Sequence, residues 1–211
     1  MLEPGVFCGY FFAMSHQRQL KVLAVVGSLQ RASVTRVVLH ELVELLEQAG
    51  CATDLVDLGI EPLPLYNPDI SRKGEVYLRL KPRVEAADVF ILGTPDYHGS
   101  LSGAMKNFLD HFWHEFTGKL FGTVVASHEK GLTATDQLRT MARQCYAWTL
   151  PYGVSLAEKV DVKDGHVTSD TLRQKLEMMA HDLRVYGQLL AAQRLADLAS
   201  RDPGFMAKHR H

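Results

Sequence analysis

Short apolar runs alternate along this chain with segments in which apolar residues recur at helical spacing. The runs are of strand length, are bounded by turn residues and are continuous rather than alternating, which is typical of strands buried on both faces of a parallel sheet. They lie at Lys21–Val26, Cys51–Leu58, Asp88–Gly93, Leu120–Ser127 and Pro151–Leu156. The pattern therefore predicts five strands.

The intervening segments predict helices at Arg36–Ala49, Gly74–Ala87, Leu101–Trp113 and Leu132–Tyr146, and a last helix capped by Ser169 or Asp170. Pro82 lies inside the second segment and predicts a break or restart there. The proline-containing stretch Gly59–Ile70 predicts an irregular loop. The polar stretch Asp161–Asp170 predicts a turn or a small hairpin.

Strands alternating with helices predict a doubly wound α/β fold with right-handed crossovers. We expect one domain over residues 20–197, an N-terminal extension over 1–19 and a C-terminal tail over 198–211. The extension is expected to be loosely ordered, and either Met1 or Met14 can be the true start. Histidines 209 and 211 are expected to lie in a solvated tail.

Composition excludes several classes of protein. The 211 residues include 23 basic and 24 acidic side chains, without the basic stripe expected of a nucleic-acid-binding protein. No apolar run approaches the length of a bilayer span, and the first residues lack the basic start of a signal peptide. Three widely spaced cysteines favour a reducing compartment. We therefore expect a cytoplasmic protein without nucleic-acid or membrane partners.

The loop after the first strand carries the first candidate chemistry. Gly27–Arg36 is crowded with hydroxyl and basic side chains and leads into a helix, a layout that can hold a phosphate. It lacks the glycine pattern of dinucleotide folds and the Gly-Lys-Ser/Thr of nucleotide triphosphatases. The alternative is that its hydroxyls serve only as helix caps.

Two further polar loops follow buried strands, at Thr94–Gly99 and Ser127–Gly131. In a sheet of order 2-1-3-4-5, all three loops open at one edge, around the switch point between strands one and three. Tyr97 can flank a planar ring there, and Gly99 allows close approach of the backbone. The alternative for Tyr97 is packing at the sheet edge.

Two motifs together give a family resemblance. The segment Gly27–Ser33 (GSLQRAS), combined with Thr94–Asp110 (TPDYHGSLSGAMKNFLD), resembles the NADPH-dependent FMN reductases, and the resemblance extends from about Leu20 to Leu190. It implies a flavodoxin-like three-layer sandwich with a five-stranded parallel sheet of order 2-1-3-4-5. It also implies an FMN-dependent NAD(P)H oxidoreductase, of a family that includes quinone, chromate and azo-dye reductases.

The resemblance also implies a set of cofactor-binding residues, carried over by position. The phosphate would be held by the first loop, the ribityl chain and isoalloxazine by the second, and the other ring edge by the third. The residues are Ser28, Gln30, Arg31, Ser33 and Thr35; Pro95, Asp96, Tyr97, His98 and Gly99; and Ser127, His128 and Gly131.

Two positions depart from the family pattern. Gln30 stands where the family usually has arginine, so either Arg31 or Arg36 supplies the charge or the phosphate is held more weakly. His98 stands where the family often has asparagine.

The resemblance implies a ping-pong reaction. NADPH or NADH would pass hydride to FMN and leave, and a small acceptor (a quinone, a flavin, an azo compound or a metal oxyanion) would occupy the same face. The cofactor carries this chemistry, so no catalytic residue is named. N–H dipoles near Gly131 would stabilise negative charge on the reduced ring. The family usually pairs subunits over the flavin, which implies a homodimer or homotetramer.

Other functions remain open from the sequence. A flavodoxin-like electron carrier or a non-catalytic FMN-binding module fits the same motifs, although a carrier is usually more acidic. A phosphatase or sugar-phosphate enzyme would need a nucleophile in the loops, and no cysteine is near them. His111 and His114, with Glu115, offer two metal ligands without a third, so no metal is expected.

Overall fold

The computed structural model describes residues 18–128 and 131–209. Its strands are β1 (Lys21–Val26), β2 (Ala52–Asp57), β3 (Val89–Tyr97), β4 (Ser100–Leu101), β5 (Leu120–Ala126), β6 (Trp148–Thr149), β7 (Val154–Leu156), β8 (Val162–Lys163) and β9 (His166–Val167). The main sheet has the order β2-β1-β3-β5, followed at one edge by β6 and β7, which both pair with β5. These pairings are parallel, so the predicted order 2-1-3-4-5 is confirmed, with β6 and β7 sharing the fifth position.

The helices are α1 (Val34–Gln48), α2 (Glu75–Ala86), α3 (Gly103–His111), α4 (Leu132–Gln144), the short α5 (Glu158–Asp161) and α6 (Asp170–Ala199). Alternate residues of β1 enter two separate cores because successive strand side chains point to opposite faces. Val22 and Ala24 pack with α1 and α6, whereas Leu23 and Val25 pack with α2, α3 and α4. The predicted three-layer sandwich is confirmed.

Helix α2 corrects one prediction. It continues through Pro82 without a break. Its inward residues Tyr77, Leu80 and Val84 are buried on both sides of the proline. Burial of this apolar stripe stabilises a continuous helix against the loss of one backbone hydrogen bond.

The segment after the third strand corrects another prediction. Thr94–Tyr97 continues β3 instead of forming a loop, since Asp96 and Tyr97 pair with Leu101 and Ser100 of β4. Helix α3 consequently begins at Gly103, two residues later than predicted.

The final segments form a hairpin, a long helix and a 3-10 turn. The small hairpin β8–β9 is confirmed, and Ser169 caps α6 by accepting a hydrogen bond from the Leu172 N–H. Residues 205–209 form a 3-10 turn in which Met206 is buried and His209 is half-buried, so the expectation of a solvated tail is wrong for His209.

The N-terminal extension enters the described part of the chain only at its last residues. Residues 1–17 lie outside it, as do residues 210–211. Arg18 forms an ion pair with Asp88, and the Gln19 amide donates to the Gly50 carbonyl. Within residues 18–128 and 131–209, no helix combines the length and apolarity needed to cross a bilayer.

Candidate functional site

The loops at the carboxyl ends of β1, β3, β5 and β7 enclose one cleft. Its lining residues are Ser28, Gln30, Ser33, Val34, Thr35, Pro95, Asp96, Tyr97, Ala126, Ser127, His128 and Glu158. Its volume is about 110 Å³, below the roughly 300–1,000 Å³ of typical small-molecule pockets. It can therefore enclose a small anionic group and leave a larger attached group lying across its open mouth.

Close backbone packing fixes where the first loop begins. The Gly27 N–H donates to the Gly93 carbonyl at 2.7 Å, and a Cβ on Gly27 would lie 2.9 Å from that oxygen and from the Met105 Cβ. The Ser102 hydroxyl donates to the Gly27 carbonyl at 2.6 Å and accepts the Met105 N–H at 3.1 Å, which caps α3. A hydrogen bond thus joins the start of the first loop to Ser102, the N-cap of α3.

The first loop ends in a capped helix. Ser33 is the N-cap of α1, and its hydroxyl oxygen accepts the Arg36 N–H at 3.2 Å. Ser33 is therefore a helix cap, and its hydroxyl hydrogen can still be donated to a ligand.

The backbone of this loop offers donors to a ligand. Within the described part of the chain, the N–H groups of residues 31–35 make no hydrogen bond. Ser28 and Thr35 are buried at the cleft wall. A run of free N–H groups at a helix N-terminus is suited to bind an anion such as phosphate.

The loop's arginines differ in what they bind. The Arg36 guanidinium forms an ion pair with Asp57 and donates to the carbonyls of Gln30 and Arg31 at 3.0 and 2.9 Å. It is not among the residues that line the cleft, so the expectation that Arg31 or Arg36 supplies the phosphate charge stays a prediction. Arg31 is exposed and also lies outside the lining.

The second loop is a two-residue hairpin. His98 and Gly99 have φ values of 57° and 75°, and the Asp96 carboxylate accepts the Gly99 N–H at 2.7 Å. Asparagine and glycine are favoured in such turns because they tolerate positive φ. The resembled family often has asparagine where this chain has His98, and the preference for positive φ gives a conformational reason for that asparagine. His98 and Gly99 are not among the residues that line the cleft, whereas Tyr97 lines it and is 52% exposed as a residue.

Gln137 of α4 holds the hairpin of β3 and β4 in place. Its amide oxygen accepts the Ser100 hydroxyl at 2.8 Å and the Leu101 N–H at 3.3 Å. Because α4 begins directly after the third loop, this contact fixes the spacing between the second and third loops.

The third loop is described at its two ends. Ser127 and His128 line the cleft, and the Ser127 N–H donates to the Leu156 carbonyl at 2.9 Å. Gly131, with φ of 58°, precedes α4, and a Cβ there would lie 2.7 Å from the Val125 Cγ1. Gly131 is not a lining residue, and Glu129 and Lys130 lie outside the described residues.

Nine of the predicted residues thus meet at one cleft, and four lie outside its lining. The nine are Ser28, Gln30, Ser33, Thr35, Pro95, Asp96, Tyr97, Ser127 and His128, and the four are Arg31, His98, Gly99 and Gly131. Sequence reasoning missed Glu158, which begins α5 two residues after β7. The rule that strand ends share one edge, applied to the fifth strand, would have found it.

The cleft carries little positive charge. Its described lining contains the carboxylates Asp96 and Glu158 and neither lysine nor arginine. Neutral donors, chiefly backbone N–H groups and hydroxyls, are therefore what the described lining offers to an anion.

The histidines and cysteines considered as metal ligands or nucleophiles are not among the residues that line the cleft. The buried His111 has its Nδ1 2.8 Å from the Asn107 carbonyl oxygen, whereas His114 stacks on Trp113. Among the described residues, no group of three or more His, Cys, Asp or Glu side chains is placed to hold a metal. Cys51 and Cys145 are not among the lining residues, and burial raises the pKa of both thiols.

The comparisons with known proteins decide the family. The family model of NADPH-dependent FMN reductases matches residues 20–161. The chain belongs to this family. The predicted oxidoreductase class, with FMN as cofactor and NAD(P)H as co-substrate, is thereby confirmed.

Individual relatives agree with this NADPH-dependent FMN reductase assignment. The NADPH azoreductase of Bacillus sp. strain OY1-2 is 31% identical over 173 residues, covering 79% of this chain and 92% of that protein. The NAD(P)H-dependent FMN reductase of Pseudomonas aeruginosa is 27% identical over 180 residues, covering 79% and 95%.

A solved structure supports the fold. The flavoenzyme NAD(P)H:(acceptor) oxidoreductase FerB of Paracoccus denitrificans superposes with a TM-score of 0.66 at 23% identity, covering 82% of this chain and 98% of that one.

The cleft of this FMN reductase fits a flavin phosphate. Among the described residues, the N–H groups of residues 31–35 make no hydrogen bond, and three of them belong to the lining residues Ser33, Val34 and Thr35, so they are available as donors. The absence of a side chain at Gly27 lets the loop begin in close contact with the sheet. The small enclosed volume suits the phosphate end, and the exposed ring of Tyr97 stands at the mouth, where a planar group could lie.

Proposed function

We propose that the protein binds FMN at this cleft and catalyses hydride transfer from NAD(P)H, through the flavin, to a small acceptor in a ping-pong cycle. The observation that carries the placement is the convergence of the three predicted loops on one cleft at the carboxyl edge of the sheet. FMN supplies the redox chemistry when bound, and the chain supplies binding and orientation.

Each loop has a distinct task in this proposal. The N–H groups of residues 31–35 and the hydroxyls of Ser28 and Ser33 bind the phosphate. Tyr97 would flank the ring of bound FMN, and Pro95 and Asp96 would line the cleft between ring and phosphate. The N–H dipoles at the start of α4, after Gly131, would stabilise negative charge on a bound ring.

The acceptor is proposed to be a quinone, a flavin, an azo compound or a metal oxyanion. The 31% identity to a protein named NADPH azoreductase supports an azo compound as the first to assay. Because much of the ring would lie outside the enclosed volume, we propose that a second copy of the chain covers it, in a homodimer or homotetramer. A mass that stays monomeric by light scattering would contradict this last point.

Steady-state kinetics test the function. With FMN-loaded protein, NADPH and an azo dye or a quinone, parallel lines in double-reciprocal plots are expected for a ping-pong cycle. No NADPH oxidation without a separate reductase would favour the electron-carrier alternative.

A pair of tyrosine variants tests the placement. Tyr97→Ala should weaken FMN binding about two- to tenfold, the value of an aromatic contact. Tyr186→Ala removes a similarly exposed tyrosine on α6, outside the cleft lining, and should leave FMN binding unchanged. Equal effects of the two substitutions would argue against Tyr97 as the ring contact.

A further inference from the structure

Arg36 and Asp57 form a contact that joins two loops next to the cleft. Asp57 ends β2 and is 4% exposed, and Arg36 lies in the first turn of α1. The Arg36 Nε donates to Asp57 Oδ2, and Nη2 lies 3.3 Å from Oδ1. A two-point contact of this kind fixes the orientation of the guanidinium plane.

The remaining guanidinium nitrogen holds the first loop. Arg36 Nη1 donates to both the Gln30 and the Arg31 carbonyl oxygens, at 3.0 and 2.9 Å. In a trans peptide the N–H points opposite to the C=O of the same unit. Holding these carbonyls on one side therefore turns the N–H groups of residues 31 and 32 to the other side.

Those N–H groups belong to the free run at residues 31–35, which makes no hydrogen bond within the described chain. The Arg36 guanidinium is itself occupied by Asp57 and by the carbonyls of Gln30 and Arg31. The guanidinium contacts the loop through its carbonyl oxygens and leaves its N–H groups available.

We propose that Arg36 and Asp57 are a positioning pair that presets the loop's N–H groups for the FMN phosphate. This proposal rests on the proposed function, which places the phosphate at the same loop. In this proposal the arginine does not contact the phosphate directly. It holds the loop backbone in the conformation that binds the phosphate, so that FMN binding does not have to order the loop.

A backbone hydrogen bond from the loop after β2 also holds the Asp57 carboxylate in place. Its Oδ1 also accepts the Gly59 N–H at 2.8 Å, and a Cβ on Gly59 would lie 3.1 Å from that oxygen. Hydrogen bonding to Asp57 raises the pKa of Arg36 above its ordinary value. Removing either partner leaves the other without its fixed geometry.

Binding of FMN and riboflavin, followed by quenching of flavin fluorescence, tests the proposal. Riboflavin lacks the phosphate, so it reports any general damage to the ring site. In Arg36→Met and in the milder Arg36→Lys, which keeps the charge but cannot bridge the same four oxygens, the Kd for FMN should rise at least about tenfold. The Kd for riboflavin should not change.

Asp57→Asn separates positioning from simple charge attraction. It removes a negative charge and keeps Arg36, so attraction alone predicts tighter FMN binding, whereas the positioning pair predicts a Kd several-fold higher. Arg83→Met is the control, because Arg83 also combines carboxylate and backbone-carbonyl contacts, here with Asp54, Glu61 and the Leu55 carbonyl, and none of these contacts is with the first loop. It should leave FMN binding unchanged.

The outcomes distinguish this proposal from the function on which it rests. Tighter FMN binding by Asp57→Asn, or an equal loss for FMN and riboflavin in the Arg36 variants, would overturn the positioning pair. A wild-type protein with equal affinity for FMN and riboflavin would instead overturn the placement of the phosphate in the cleft.

Discussion

Replacing Ser102 by alanine should destabilise the protein much more than a cap substitution usually does. The Ser102 hydroxyl caps α3 through the Met105 N–H and also donates to the Gly27 carbonyl at 2.6 Å. Loss of a serine cap costs about 1 kcal/mol. An unsatisfied buried carbonyl adds about 1–3 kcal/mol, so the free energy of unfolding should fall by about 2–4 kcal/mol.

Ser169→Ala is the matched control. Ser169 caps α6 in the same way, through the Leu172 N–H at 3.2 Å, and no carbonyl acceptor like that of Gly27 is described for it. Its substitution should lower the free energy of unfolding by about 1 kcal/mol. Urea denaturation of both variants measures the difference, and equal losses would refute the reasoning that Ser102 joins the first loop to α3.

Three further predictions concern single positions. Gly93→Ala should cost about 1–3 kcal/mol because the added Cβ would lie 2.5 Å from Leu39 Cδ1, whereas Gly103→Ala, with open space, should not destabilise; equal urea midpoints would contradict this. His98→Asn should leave FMN affinity unchanged and slightly raise the thermal midpoint, since asparagine tolerates the φ of 57° better; weaker FMN binding would show that the imidazole contacts the cofactor. Burial lowers the pKa of Lys119 to about 7, against about 10.4 for an unfolded lysine. The unfolded chain therefore binds more protons between these values, so stability should rise by about 1.5 kcal/mol from pH 7 to 8.5; Lys119→Met should remove this rise, and an unchanged slope would contradict the assignment.

Burial patterns made most of the fold predictable. The strands β1, β3 and β5 are buried on both faces, and such strands leave continuous apolar runs in the sequence. Local rules failed where tertiary packing opposed them. Pro82 did not break α2 because the buried stripe on either side keeps the helix in place.

The site was predictable in its location and less so in its details. The strand-end rule brings Ser28, Tyr97 and Ser127 to one edge without any knowledge of side-chain contacts. The same rule could not show that the Arg36 side chain pairs with Asp57, since this contact depends on a carboxylate 21 residues away in the sequence. Nor could it show that His98 occupies a turn position, because the pairing of β3 with β4 determines that turn.

The most direct test of the account is the visible spectrum of the protein loaded with FMN, recorded as NADPH is added in the absence of oxygen. The account predicts flavin absorption bands that bleach on addition of NADPH and return when an acceptor is supplied. Flavin bands that persist in excess NADPH and NADH would contradict direct hydride transfer. Failure to take up FMN at all would contradict the assignment of the cleft.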